Sequence, residues 1–143
     1  MNILVSACLL GVCCRYDGAS KPNQAVLNLM ERHTLVPVCP EQLGGLATPR
    51  PPAERQGSAV RTQAGTDVSE QYRRGAEETL RLCRIYGCEV AVLKERSPSC
   101  GSGTVYNGTF SGVLTDGDGV TAELLKVNGI QVYGESELEK LMN

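Results

Sequence analysis

The sequence predicts a single α/β domain over residues 1–143. Its mainly parallel sheet has about four strands with helices on both faces, a three-layer arrangement of the Rossmann-like or flavodoxin-like kind. Three observations predict it. Short apolar runs recur at residues 2–7, 35–38, 90–93 and 130–133, the lengths of buried strands. Stretches of helical periodicity separate them, as parallel strands require a crossover between each pair. Loops rich in glycine and proline follow the strands, where the carboxyl ends of a parallel sheet build a crevice. A chain of 143 residues is long enough to bury such a core.

The elements follow in order. Residues 2–7 form the first strand, and a loop punctuated by Gly11 and the turn pair Asp17-Gly18 runs to Ser20. Pro22, suited to a first helical turn, opens a helix through Ala25, Val26, Leu29 and Met30 that ends near His33. Residues 35–38 are the second strand. From Cys39 to about Gln56 the chain holds Gly44-Gly45 and Pro40, Pro49, Pro51 and Pro52, and reads as one long irregular loop. Residues 59–63 form a small strand or hairpin arm. Asp67 or Ser69 then caps a helix with Tyr72, Ala76, Leu80 and Cys83 on its apolar face, stopped by Gly87. Residues 90–93 are the third strand. Residues 101–119 read as a glycine-rich loop with a turn at 105–108. Thr121 caps a helix over 122–127 that Gly129 ends. Residues 130–133 are the fourth strand, and Ser136 opens a terminal helix with Leu138, Leu141 and Met142.

Bulk composition narrows the function. A net charge of −2 argues against a strongly electrostatic nucleic-acid binder. No run is long enough to span a bilayer, and the N-terminus enters a strand without the regions of a signal peptide, so a cytoplasmic protein is expected. Seven cysteines in a reducing compartment read as metal-binding or catalytic rather than disulfide-bonded.

Three cysteines stand out. Cys8 in Ser6-Ala7-Cys8-Leu9-Leu10-Gly11, Cys39 in Val38-Cys39-Pro40-Glu41 and Cys100 in Ser97-Pro98-Ser99-Cys100-Gly101 each follow a predicted strand. Three thiolates meeting in one crevice with a position left open suit an iron–sulfur cluster with a free iron better than a closed zinc site. Glu41 lies two residues beyond Cys39, within reach of whatever binds there, and suits a general base. Ser97 offers a hydroxyl to orient a substrate or relay a proton. Gly11, Gly44, Gly45 and Gly101 allow the backbone close to a bulky cluster. Cys83 and Cys88 read as small buried hydrophobes, and His33 as a partner of the last helical carbonyls. Cys13 and Cys14 read either as spare ligands or as a redox pair. Arg50, Arg55 and Arg96 read as solvated charges, with Arg50 and Arg55 the first candidates for a substrate phosphate.

These segments, with Cys14-Arg15-Tyr16-Asp17-Gly18, Cys39-Pro40-Glu41-Gln42-Leu43-Gly44-Gly45, Pro49-Arg50, Pro52-Ala53-Glu54 and Gly108-Thr109-Phe110, resemble the thiouracil desulfidase family of small bacterial proteins. The resemblance runs over nearly the whole chain in order. It departs at Ala47, where a proline is usual, and at Asn107, where an aspartate is usual and substrate contacts are at stake. The resemblance implies a non-redox [4Fe-4S] hydrolase. In it Cys8, Cys39 and Cys100 hold the cluster, Glu41 activates water and Ser97 assists. It implies a small substrate, a thiopyrimidine base such as 2-thiouracil or a nucleotide such as 4-thiouridine monophosphate, in preference to whole thiolated tRNA. Two readings compete with it. A non-catalytic metal- or cluster-binding module would need the cysteines but not Glu41, and a thiol-redox protein would work through Cys13-Cys14.

Overall fold

Branched apolar side chains alternate between two buried surfaces, and that alternation builds the centre of the molecule. The computed structural model describes residues 1–141. Its main sheet joins β1 (Asn2–Ser6), β2 (Thr34–Val38), β5 (Val90–Leu93) and β8 (Gln131–Gly134), all parallel, in the order β2-β1-β5-β8. Register sets Ile3 opposite Val90, Leu4 opposite Ala91 and Val5 opposite Val92. Ile3, Val5, Val90 and Val92 therefore face one layer, which holds α1 (Gln24–Asn28) through Val26 and α5 (Leu138–Leu141) through Leu138. Leu4, Ala91 and Leu93 face the other, which holds α3 (Ser69–Tyr86) through Leu80 and Cys83, and α4 (Val120–Val127) through Ala122 and Leu125. Both faces are covered, as expected of a parallel sheet. No helix of the described residues is long and apolar enough to cross a membrane.

The four sheet strands fall within a residue or two of the sequence expectation. Other elements differ, each for a physical reason. The first helix starts after Pro22: Asn23 is its cap, accepting from the Val26 N–H at 3.1 Å, and a 3-10 turn over Leu29–Glu31 ends it. His33 turns its ring away from the helix, with Nδ1 3.2 Å from the Met1 ammonium. The stretch expected to be one irregular loop contains α2 (Pro40–Leu43) and β3 (Ala53–Gln56). The arm over 59–63 is β4 (Ala59–Thr62), which pairs antiparallel with β3. That hairpin shares a small core with α3 through Val60, Val68 and Tyr72.

The long helix is preceded by Val68, while the Asp67 carboxylate accepts from the Ser69 N–H at 2.8 Å. The glycine-rich loop holds β6 (Thr104–Tyr106) paired antiparallel with β7 (Leu114–Asp116). Thr121 lies inside α4, with Gly119 at the cap; its hydroxyl instead shares a buried 2.8 Å hydrogen bond with Ser99. A 3-10 turn over Glu135–Glu137 leads into α5, and Met142 lies outside the described residues.

Helix α2 has one turn and little stability of its own. It is seated by backbone contact with α3. A Cβ on Gly75 would fall 1.9 Å from the Pro40 carbonyl oxygen, and one on Gly44 would fall 1.9 Å from that of Gln71. Only glycines permit this approach. Gly44 thus serves helix packing, and none of Gly11, Gly44, Gly45 and Gly101 lines the cavity described next.

Candidate active site

Strands β1, β2 and β5 all end at the same edge of the sheet, and a cavity of about 450 Å³ opens there. Cys8 sits in the 3-10 turn that follows β1, closed by Gly11 in the left-handed conformation at φ 101°. Cys39 directly follows β2 at the start of α2. Cys100 is held beyond β5 by the turn that starts at Ser97. All three line the cavity, with Cys14, Glu41 and Ser97. Cys8 belongs to one core layer and Cys100 to the other, so the cavity lies across the sheet edge.

Burial shapes these thiols. It pushes Cys8 up to about 11, an effect that Lys94 offsets and Cys39 reinforces. It pushes Cys14 up to about 12, with the adjacent Cys39 adding to it. Burial also drives Cys100 well above the ordinary thiol range, eased by a hydrogen bond with Ser6. Such thiols keep their protons at neutral pH unless a cation takes the sulfur as thiolate.

The donor set fits an iron–sulfur cluster. It consists of soft sulfurs without imidazole. No three Cys, His, Asp or Glu side chains among the described residues converge tightly enough to hold a single metal ion. A cluster takes its thiolates one to an iron, and the three cysteines line the cavity from three separate strand ends.

Glu41 occupies the first turn of α2 and has 14% of its side chain exposed. Its Oε2 accepts from Arg50 Nε at 2.8 Å, and a second guanidinium nitrogen lies 2.8 Å from the same oxygen. Its other oxygen, Oε1, accepts from the Ser97 hydroxyl at 3.4 Å. Ser97 Oγ in turn accepts from the backbone N–H groups of Ser99 (3.1 Å) and Cys100 (3.0 Å), so this side chain both starts the Cys100 turn and aims its proton at Glu41. The Tyr72 phenol, read from its spacing as core, also lines the cavity. Burial first, and then the Glu41 charge, holds its proton far above the ordinary phenol range.

Arg50 is unavailable to a phosphate. Besides Glu41, its guanidinium donates to Ala47 O (3.2 Å), Thr48 Oγ1 (3.0 Å) and Cys14 O (2.9 Å), so each of its three nitrogens already donates within the protein. Arg55 is equally committed and lies off the cavity, donating to Gly57 O, Asp118 O and Glu123. The cavity-lining cations with no acid partner among the described residues are Arg15, Lys21 and Arg96. Cys13 and Cys14 part company, Cys13 exposed and Cys14 buried beside Cys39, whose thiol donates to the Cys14 carbonyl at 3.6 Å. Cys83 and Cys88 are buried in the α3–α4 layer, away from the cavity. Asn107 does not line the cavity; its side-chain oxygen accepts from Thr109 and closes a tight turn.

The model of the 2-thiouracil desulfurase family matches residues 3–137. The chain belongs to that family. Its fold superposes with a TM-score of 0.91 on the solved [4Fe-4S]-dependent thiouracil desulfidase TudS. The two are 51% identical, over 99% of this chain and 95% of that one. An uncharacterised protein of Bacillus subtilis (strain 168), YbbK, is 44% identical over 150 residues, covering 98% of this chain and 99% of the relative. The desulfurase family is the one that the cysteine motifs resemble, and the solved relative has the same α/β architecture from end to end.

Proposed function

We propose that this protein is a [4Fe-4S]-dependent desulfidase that replaces the thiocarbonyl sulfur of a thiopyrimidine with oxygen. The observation that carries the reading is the meeting of Cys8, Cys39 and Cys100 with Glu41 and Ser97 in one cavity, the three cysteines following three different strands. Membership of the desulfurase family and the likeness to TudS support it. Cys8, Cys39 and Cys100 hold the cluster. Held there, a cluster would supply a Lewis acid for the thiocarbonyl sulfur. Glu41 takes a proton from water through Oε1, the oxygen that Arg50 leaves free, and the resulting hydroxide attacks the carbon. Ser97 positions that oxygen. Overall one water enters and one hydrogen sulfide leaves, so the carbon keeps its oxidation state and no electron donor is needed.

The substrate is a small molecule, in keeping with a cavity of about 450 Å³ and a net charge of −2. Arg15, Lys21 and Arg96 have no acid partner among the described residues and suit a phosphate, which favours the nucleotide, 4-thiouridine monophosphate, over the free base. A cytoplasmic location agrees with seven free cysteines.

Anaerobic reconstitution tests the proposal. The chain should bind about four irons, and each of Cys8→Ser, Cys39→Ser and Cys100→Ser should lose the cluster. The loaded protein should release sulfide from 2-thiouracil or 4-thiouridine monophosphate. Glu41→Gln should keep its iron while turnover falls roughly 10²-fold. A loaded protein that releases no sulfide from either compound would favour the non-catalytic module instead.

A further inference from the structure

Arg50 carries a second role, which rests on the reading of Glu41 as the group that activates water. We infer that Arg50 is the positioning residue of the reaction: its guanidinium immobilises the Glu41 carboxylate through Oε2, and so presents Oε1 alone to the cavity, while tying that carboxylate to the Cys8–Cys14 loop. A glutamate side chain on a one-turn helix has three rotatable bonds and no intrinsic reason to hold one pose. Arg50 removes that freedom. Its Nε–H donates to Oε2, Nη2 lies 2.8 Å from the same oxygen, and its own pose is fixed by Ala47 O and Thr48 Oγ1 in the same loop. An Nη2 N–H reaches Cys14 O, the carbonyl to which the Cys39 thiol also donates. One side chain, 6% exposed, thus joins the loop after β1 to α2 after β2.

Lysine cannot replace this arrangement. An ammonium is a single point charge that can meet Glu41 or Cys14 O, but not hold the carboxylate in a planar fork at the same time. Because each nitrogen of Arg50 already donates within the protein, it acts through Glu41 and not on the substrate.

A double-mutant cycle tests this in the reconstituted protein. Arg50→Lys should retain wild-type iron content and KM for 2-thiouracil, while kcat falls roughly 10- to 100-fold, the scale of a misplaced catalytic group. The Glu41→Gln/Arg50→Lys double variant should be no slower than Glu41→Gln, because Arg50 has nothing left to position. In that slow Glu41→Gln background, 2-thiouracil should bind equally well with and without Arg50→Lys, followed by the change it causes in the cluster's absorption. Multiplying losses in the double variant, weakened thiouracil binding, or a wild-type kcat in Arg50→Lys would each overturn the inference. So would loss of iron in both Arg50→Lys and a second variant, Arg50→Gln, which would make Arg50 a purely structural tie. Wild-type turnover by Glu41→Gln would overturn the reading of Glu41 itself, and this inference with it.

Discussion

Cysteine stands in two settings in this chain, and burial alone does not separate them. Cys83 is 1% exposed and its thiol is pushed up to about 12, chiefly by burial and further by Cys88. Cys8 and Cys14 are pushed up comparably at the cavity. Neighbours make the difference, since Cys83 packs among Leu80, Leu125 and Ala122, where nothing could bind. Cys83→Ala should therefore keep full iron content and cost about 1 kcal/mol at neutral pH. The same variant carries a pH signature. Unfolded, the thiol releases its proton near 9.0, whereas folded it holds the proton to about 12. The folded state thus binds more protons across that window, and metal-free wild type loses stability as pH rises through it. Urea unfolding from pH 7 to 10.5 should show a shallower decline for Cys83→Ala, and equal slopes would contradict the cause given for the shift. Sequence alone singled out Cys8, Cys39, Cys100, Glu41 and Ser97 because each lies in a short motif after a strand. The Arg50 clamp was not legible, since Arg50 folds back over Glu41 through a proline-rich loop that no local pattern describes. Tyr72 sits at core spacing on α3, and spacing cannot show that its hydroxyl end reaches a cavity.

At the scale of elements, the contact between α2 and α3 decides where Cys39 and Glu41 stand. The Pro40 carbonyl lies where a Cβ on Gly75 would be, so Gly75→Ala must push α2 off its seat. The expected cost is about 1–3 kcal/mol, as for overpacked cores. Iron content after reconstitution should fall too, because Cys39 moves with Pro40. Denaturant unfolding and iron assay of the one variant check both, and normal iron loading would show that the seat does not position the cysteine. The main strands were legible because residues such as Ile3, Leu4, Val5 and Val90, Ala91, Val92 are buried on both faces and read as continuous apolar runs. Strands β3, β6 and β7 were not, because their residues are mostly exposed or half-buried and form no apolar run, so they owe their structure to pairing. Ala53 meets Thr62 and Thr104 meets Asp116, pairs that no alternation of apolar residues marks. Helix α2 escaped for the same reason, as it holds its shape only against α3.

The whole molecule is a sheet with two covered faces and one working edge. Because the proposed ligands come from three separate strand ends, a bound cluster would staple β1, β2 and β5 together in the native state only. Anaerobic thermal scans should show a higher midpoint for the reconstituted protein than for the metal-free chain. Cys100→Ser put through the same reconstitution should show no such rise. The order of the strands also sets a timetable. Strand β5 lies between β1 and β8 and belongs to the latter half of the chain, and Cys100 comes after it. While the chain is being synthesised, its first half can offer Cys8 and Cys39, but the third sulfur arrives only once β5 has docked beside β1. With the proposed ligands, cluster delivery would be an event of the finished fold, and a product truncated before Cys100 would emerge from the ribosome without the third ligand.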